Sequence, residues 1–217
     1  MINILNNQNS VLNNFLKEIR DENIQKDPLR FRENLRRIGF LMAYEISKTL
    51  NYKQTDVTTP LGIAQVELPQ NKIVIATILR AGIPFHQGFL DVFDGAESAF
   101  ISSHRHWSKK GELEIVVESV STTSLEGKTL ILVDPMFATG GSIQDAYNAL
   151  IEKAGRPDKT HIAAIVSVDE GIEYVKKNMA LENFTIWTAA LDHDMTVKNY
   201  IIPGIGDPGD LAFGKKI

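Results

Sequence analysis

The stretch Thr129-Leu-Ile-Leu-Val133, followed directly by Asp134-Pro-Met-Phe-Ala-Thr-Gly-Gly-Ser142, decides how this chain folds. Its first part is a nearly continuous apolar run, which is typical of a strand buried on both faces of a parallel sheet. Apolar residues then recur at helical spacing from Ile143 to Ala154. A helix is therefore predicted, with Ser142 as its N-cap and Gly155, then Pro157, as its stop.

The segment between this strand and helix has the composition of an anion site. Asp134 follows the strand at its carboxyl end, where open α/β sheets bind ligands. Gly140 and Gly141 allow a tight turn that directs N–H groups and the positive end of the helix dipole at a phosphate. The carboxylate could accept hydrogen bonds from sugar hydroxyls, so the pattern favours a sugar phosphate over an ordinary Asp-Pro turn. Because no Lys follows the second glycine, it is not the phosphate loop of an ATPase.

Length and composition limit the class of protein. A chain of 217 residues that is 43% hydrophobic predicts one domain, residues 1–217, around one core. A net charge of −4 argues against nucleic-acid binding, and the absence of cysteine excludes disulfides and thiolate chemistry. Neither a signal peptide nor an apolar run of membrane-spanning length is evident, so we expect a cytoplasmic protein without a membrane partner.

The amino-terminal part predicts two helices between residues 11 and 50. One apolar stripe runs from Val11 to Ile19, and another runs from Phe31 to Ile46. The second helix also carries an arginine cluster at Arg30, Arg32, Arg36 and Arg37. This cluster is interpreted as a solvated face, the alternative being that one arginine reaches a phosphate or a neighbouring subunit.

A second buried strand is predicted at Lys72–Leu79, with Arg80 at its end and a crossover helix at Pro84–Phe93. An arginine at the carboxyl end of a strand could hold a dianion with two donors, or simply emerge into solvent. The anion site predicted beside it favours the first interpretation.

The rest of the chain alternates strands and helices. A short strand at 99–101 and a second at Leu113–Val120 suggest a strand pair that projects from the sheet. Further strands are predicted at His161–Val168 and Phe184–Ala190, with a helix at Glu170–Met179 between them. We interpret His104 and His106 as part of a mobile loop over the site rather than as metal ligands, and Asp192, His193 and Asp194 as a polar loop.

The tail from Tyr200 to Asp210 is rich in glycine and contains a literal G-x-G-x-x-G. A dinucleotide-binding motif is excluded, because Pro208 lies inside it and too few residues follow for a helix and a strand. A glycine-dense loop instead exposes backbone N–H and C=O groups that could read the edge of a planar base.

Several of these segments resemble the type I phosphoribosyltransferases. The run Val133–Ser142 resembles their phosphoribosyl-pyrophosphate loop, and its Asp-Pro-Met and Ala-Thr-Gly-Gly-Ser parts resemble the uracil phosphoribosyltransferase branch. Ile78–Gly82 resembles the family's pyrophosphate loop, and Glu170-Gly171-Ile172 its helix start. The resemblance covers nearly the whole chain.

The resemblance implies an α/β fold: a type I phosphoribosyltransferase fold with a central, mostly parallel sheet flanked by helices. A projecting β-hairpin is implied too, with a hood formed by about residues 1–50 and 190–217. The implied reaction joins uracil to 5-phospho-α-D-ribose 1-diphosphate (PRPP), giving UMP and diphosphate in pyrimidine salvage. The implied cofactor is Mg²⁺ held mainly through the ligand, without dedicated protein ligands. Family members are commonly homodimers or homotetramers, and some are activated by GTP.

The resemblance also implies roles for individual residues. Arg80, Arg105 and Asp134 are the expected catalytic residues: the arginines stabilise the departing diphosphate, and Asp134 holds the ribose hydroxyls. The expected PRPP-binding residues are Arg80, Arg105, Asp134, Pro135, Met136, Phe137, Ala138, Thr139, Gly140, Gly141, Ser142 and Asp207. The expected uracil-binding residues are Ile201, Gly206, Asp207 and Pro208.

Two departures from the family pattern bear on the base and on turnover. Pro208 stands where the family usually has Ala, and proline has no backbone N–H. A missing donor to a buried uracil carbonyl would cost about 1–3 kcal/mol. The residues around Arg105, Ser103–Trp107, also differ from the family pattern. Two alternatives therefore stand beside the uracil enzyme: a nucleotide-sensing protein of the same fold with little turnover, and a transferase for a different base.

Overall fold

The computed structural model describes residues 1–107, 113–179 and 183–216, and gives the backbone alone at 104–107 and 113–115. Its strands are β1 (Ile2–Ile4), β2 (Tyr52–Thr59), β3 (Gly62–Pro69), β4 (Ile73–Ile78), β5 (Glu97–Trp107), β6 (Leu113–Ser121), β7 (Thr129–Val133), β8 (Met136–Phe137), β9 (Lys159–Val168), β10 (Phe184–Asp192), β11 (Asp194–Met195) and β12 (Ile201–Ile202). Its α-helices are α1 (Leu12–Arg20), α2 (Pro28–Ser47), α3 (Gly82–Leu90), α4 (Gly141–Ala154), α5 (Asp169–Asn178) and α6 (Pro208–Phe213).

The main sheet has the strand order β1-β10-β9-β7-β4-β5-β6, with β8 paired to β9. Neighbouring strands are parallel except β5 and β6, which are antiparallel at one edge. The predicted strand β7 lies at the centre of this sheet, between β4 and β9. The predicted class, a mostly parallel α/β sheet, is confirmed.

Alternate residues of the central strands enter two separate cores. In β7, Ile131 and Val133 belong to the core that includes residues of α1, α2 and α3. Leu130 and Leu132 belong to the opposite core, which includes residues of α4 and α5. Since the centre of the sheet is covered by helices on both faces, its central strands β4 and β7 are buried along their whole length, as the run at 129–133 indicated.

Helices α2 and α3 pack against each other through glycines. A Cβ built on Gly88 would lie 2.1 Å from the Arg36 carbonyl oxygen, and one on Gly39 would lie 2.4 Å from the Phe85 carbonyl oxygen. The Arg36 guanidinium also holds Asp91 with two bonds, Nε to Oδ2 at 2.6 Å and Nη2 to Oδ1 at 3.2 Å. Arg36 thus serves the contact between these helices, a role that the interpretation of the cluster as a solvated face missed.

The strand pair predicted after residue 98 forms as β5 and β6, but β5 is much longer than the predicted 99–101. A second hairpin, β2 and β3, was not predicted. It pairs Tyr52 with Pro69 at one end and Thr59 with Gly62 at the other, and most of its residues are exposed. Its alternation was overlooked because neither face is buried, so apolar residues do not mark an inner side.

None of the helices in the described ranges is both long and apolar enough to cross a membrane.

Candidate active site

The predicted site residues converge at the carboxyl edge of two neighbouring strands. Strands β4 and β7 pair with Thr77 beside Val133, so the residues that follow them leave the sheet side by side. The close approach requires Gly82, because a Cβ there would lie 2.1 Å from Thr77 Oγ1 and 3.6 Å from the Val133 carbonyl oxygen. The segment Ile78–Gly82 and Asp134 are thereby placed next to each other.

The loop after β7 is pinned to β9 by backbone bonds. The Asp134 N–H donates to the Ala163 carbonyl at 3.1 Å, and the Pro135 carbonyl accepts from the N–H groups of Ile165 and Val166, both at 3.1 Å. The next two residues form the short strand β8. Half-buried Asp134 also accepts from the Met136 N–H at 3.3 Å, which orients its carboxylate. The loop is therefore held rigidly at the edge of the sheet.

Helix α4 begins at Gly141, and Gly140 rather than Ser142 is its N-cap. The prediction for Ser142 was wrong because Gly140 takes the left-handed conformation, φ 83°, and turns the chain two residues earlier than a cap at Ser142 would. No side chain in the described ranges caps this end of the helix. Its first N–H groups, which have no partner inside the helix, are available to an anion.

Helix α5 packs against residues 134–142, the predicted anion-binding segment, which is called the anion loop below. A Cβ on Gly171 would lie 1.9 Å from the Ala138 carbonyl oxygen, and one on Gly140 would lie 2.8 Å from the Gly171 carbonyl oxygen. Backbone therefore packs on backbone at this point, which only glycine permits. Gly171 of the Glu-Gly-Ile motif makes this contact. The sequence alone did not show why the motif needs a glycine.

Arg80 lies at the end of β4 in a cis peptide with Leu79 and extends toward the tail. Its Nη2 donates to the Gly214 carbonyl at 3.0 Å and lies 3.3 Å from Asp210 Oδ1. Its Nε is buried without a hydrogen-bond partner in the described residues. A buried cationic donor without a partner is costly, so an anion is the group expected to satisfy it.

The tail ends in a short helix, α6, and not in a plain glycine loop as expected. Asp207 is its N-cap and accepts from the Asp210 N–H at 3.0 Å, while Pro208 occupies the first helical turn. Proline suits this position because its missing N–H would have no partner inside the helix. With six residues, α6 is still too short for the helix of a dinucleotide-binding fold.

The tail meets the segment Ile78–Gly82 at Gly209. A Cβ built there would lie 3.2 Å from Asp207 Oδ1 and 3.8 Å from Arg80 Nη2. Gly206 is exposed with φ 73°, whereas Ile201 is only 5% exposed and belongs to a core. Of the expected uracil residues, Ile201 could therefore contribute only its backbone.

Asp192 is not part of a polar loop, contrary to expectation. It ends β10, is 6% exposed, and binds the Arg20 guanidinium. Arg105 has its backbone in β5, but its side chain lies outside the described part, as do those of His104 and His106. Their predicted roles stay predictions.

The carboxylates at this edge fit a magnesium ion that arrives with a phosphorylated ligand. Among the described residues, no three His, Asp or Glu side chains are grouped closely enough to hold a metal by themselves. Mg²⁺ is usually bound by one or two carboxylates together with substrate phosphates and water. Asp134, which follows β7, and Asp207, which caps α6, could each supply one carboxylate.

Comparison with known proteins agrees with this geometry. The family model for uracil phosphoribosyltransferase matches residues 6–215. A uracil phosphoribosyltransferase from Porphyromonas gingivalis is 47% identical over 210 residues, covering 97% of this chain and 96% of that protein. One from Thermococcus gammatolerans is 35% identical over 201 residues, with 92% and 87% covered.

Solved structures share the fold. The AQ2163 protein from Aquifex aeolicus superposes with a TM-score of 0.87 and 26% identity over 100% of both chains. Adenine phosphoribosyltransferase from Trypanosoma brucei superposes with a TM-score of 0.56 and 14% identity, over 91% of this chain and 87% of that one. The fold is that of the phosphoribosyltransferases, and by sequence the chain belongs to the uracil phosphoribosyltransferase family.

Proposed function

We propose that the protein transfers the phosphoribosyl group of PRPP to uracil, giving UMP and diphosphate. The observation that carries the proposal is the convergence at one sheet edge of an uncapped helix N-terminus, the Asp134 carboxylate and the partly unpaired Arg80. These groups match the phosphate, ribose and diphosphate of a single substrate.

The sugar phosphate occupies the loop after β7. The N–H groups at the start of α4, with the hydroxyls of Thr139 and Ser142, bind the 5-phosphate, which is favoured by the helix dipole. Asp134 accepts hydrogen bonds from the ribose hydroxyls. Because β9 and Gly171 hold this loop, the ribose is presented in a fixed orientation.

The diphosphate lies against Arg80 and Arg105, whose positive charges stabilise the leaving group. Asp134 and Asp207 are the carboxylates that would help to hold a Mg²⁺ ion bound mainly through the substrate. When bound, Mg²⁺ supplies further positive charge as the bond to the diphosphate breaks.

The base lies against the backbone of residues 201–208. Uracil N1 bonds to the ribose carbon as the bond from that carbon to the diphosphate oxygen breaks, through a centre with oxocarbenium character, and N1 releases its proton to the solvent. Catalysis is then orientation together with stabilisation of charge, and no residue of the chain forms a covalent intermediate.

Measurement of UMP formation from uracil and PRPP tests this function, with a panel of other bases under the same conditions. We expect turnover with uracil and its near-complete loss in Asp134→Asn. Asp158→Asn is the matched control, since Asp158 is exposed beyond the amino end of β9. Binding of PRPP without any product would support the nucleotide-sensing alternative. Turnover of another base, but not of uracil, would support a transferase for a different base.

We also propose that the protein is a homo-oligomer of two or four copies, held in part by the hairpin of β2 and β3. An isolated two-stranded hairpin is marginally stable in water. This one exposes Ile63 by 71% and Leu61 completely, together with parts of Val57, Val66 and Leu68. A second copy of the chain would cover these apolar residues. Sedimentation velocity of the wild type and Ile63→Asp tests the proposal: an unchanged mass would contradict a role for the hairpin.

Two further properties complete the proposal. The phosphorylated substrate and product do not cross membranes, so we place the protein in the cytoplasm. GTP is proposed as an activator, and the rate of UMP formation with and without GTP tests it.

A further inference from the structure

Arg20 and Asp192 form a two-bond ion pair far from each other in sequence. Arg20 ends α1, and its Nη1 and Nη2 donate to Asp192 Oδ2 at 2.9 Å and Oδ1 at 2.8 Å. Asp192 ends β10 and is 6% exposed. Two parallel hydrogen bonds fix the orientation of the guanidinium relative to the carboxylate as well as the distance between them, whereas a single hydrogen bond fixes only the distance.

Gly204 closes the pair into a ring. Its N–H donates to Asp192 Oδ2 at 2.9 Å, and its carbonyl accepts from Arg20 Nη1 at 2.9 Å. Both backbone polar groups of Gly204 are therefore held by the ion pair. The residue takes φ 61°, and a Cβ on it would lie 2.2 Å from the Ile201 carbonyl oxygen.

The ring holds Gly204, which lies within the segment proposed to face the base, residues 201–208. Gly206 and Asp207 follow Gly204 closely, and Asp207 starts the helix that meets Arg80. The orientation of Gly204 decides where the N–H and C=O groups of the next residues point. If backbone groups bind the base, its affinity depends on where those N–H and C=O groups lie, and small displacements weaken the hydrogen bonds.

We propose that the Arg20–Asp192 pair positions the backbone of residues 204–207 for recognition of the base. Arg20 and Asp192 are positioning residues: they act through Gly204 and do not touch the substrate. The proposal rests on the proposed function, because it assigns the base to that backbone segment.

Kinetics of Arg20→Lys test the proposal. Lysine keeps the charge but cannot bind both Asp192 oxygens and the Gly204 carbonyl in one plane. We expect the KM for uracil to rise about tenfold, since charge-assisted hydrogen bonds are lost, and the KM for PRPP to stay within about twofold. Asp192→Asn places an amide N–H₂ where an acceptor is needed and should shift the same constant, which gives a second variant if the first is unstable.

Arg36→Lys is the matched control. This variant breaks another ion pair with two hydrogen bonds, that between Arg36 and Asp91. The pair joins α2 to the end of α3 and does not contact residues 204–207. A purely structural role would lower the melting temperature of both variants and leave the uracil KM unchanged. An unchanged uracil KM in Arg20→Lys, equal shifts for both substrates, or a shift in Arg36→Lys would each overturn the proposal.

Amide hydrogen exchange gives a readout that needs no turnover. We expect residues 204–207 to exchange about tenfold faster in Arg20→Lys than in the wild type, and unchanged in Arg36→Lys. A wild type that makes no UMP overturns the proposed function alone. Unchanged exchange at 204–207 overturns the positioning role alone.

Discussion

Arg80 Nη2 lies 3.3 Å from Asp210 Oδ1, so the arginine proposed to hold the diphosphate is paired with a carboxylate of the tail. The two side chains are 36% and 33% exposed, and solvent therefore weakens their attraction. A diphosphate carries more negative charge than one carboxylate and would compete for the same donor. Binding of PRPP then requires an exchange of partners at Arg80.

Asp210→Asn should strengthen the binding of diphosphate. An exposed pair contributes about 0.2–1 kcal/mol, so the inhibition constant of diphosphate is expected to fall about 1.4- to fivefold. Product-inhibition kinetics measure this, with Asp158→Asn as a control for the change in net charge. Weaker inhibition would show that Asp210 itself helps to hold the substrate.

Gly171→Ala should displace the anion loop. Its Cβ would lie 1.9 Å from the Ala138 carbonyl oxygen, so one backbone must move by about 1 Å to restore normal contact. A displacement of that size is expected to lower kcat/KM for PRPP about a hundredfold. Gly95→Ala is the control, because a Cβ at Gly95 meets no atom within 4 Å. Equal kcat/KM in the two variants would show that the loop does not depend on this contact.

Pro208→Ala should improve the affinity for uracil. Alanine restores an N–H in the first turn of α6, where it has no partner inside the helix and could donate to the base. We expect the KM for uracil to fall about fivefold or more. Pro60→Ala, in the exposed turn of the β2–β3 hairpin, is the control. An unchanged KM would show that the missing donor does not limit recognition.

His161 should make the fold less stable in acid. Its side chain is fully buried, Nδ1 accepts from Trp187 Nε1 at 3.0 Å, and burial lowers the pKa to about 4 from 6.5. The unfolded chain binds the proton near pH 6.5 but the folded protein does not, so stability is lost as the pH falls from 6.5 toward 4. The loss amounts to about 3 kcal/mol.

Urea unfolding across this pH range measures the effect in the wild type and in His161→Asn, which keeps an acceptor for Trp187. The variant is expected to lose much of the pH dependence. His193→Asn is the control: the exposed His193 donates a hydrogen bond from Nδ1 to the Asp169 carboxylate, which raises the pKa of His193, so that residue contributes stability at low pH that is lost as the pH rises. An unaltered slope in His161→Asn would mean that His161 is protonated in the folded state.

The central sheet and the anion loop were predictable because their signals are local. A buried parallel strand such as β7 must be apolar on both faces, and the turn from the loop into α4 uses the consecutive glycines Gly140 and Gly141. Family and fold class followed from these motifs and were confirmed. The N-cap of α4 was misassigned because serine and glycine both suit that position and only the backbone φ separates them.

The contacts between distant parts of the chain were decided by the tertiary structure alone. Nothing near Asp192 in sequence marks it as a buried ion, since its partners, Arg20 and Gly204, come from other segments. The pairing of Arg80 with Asp210 was equally invisible, because it depends on where the tail returns to the sheet. Periodicity and motifs report on neighbours along the chain, whereas the shape of the base pocket depends on side chains that meet only after folding.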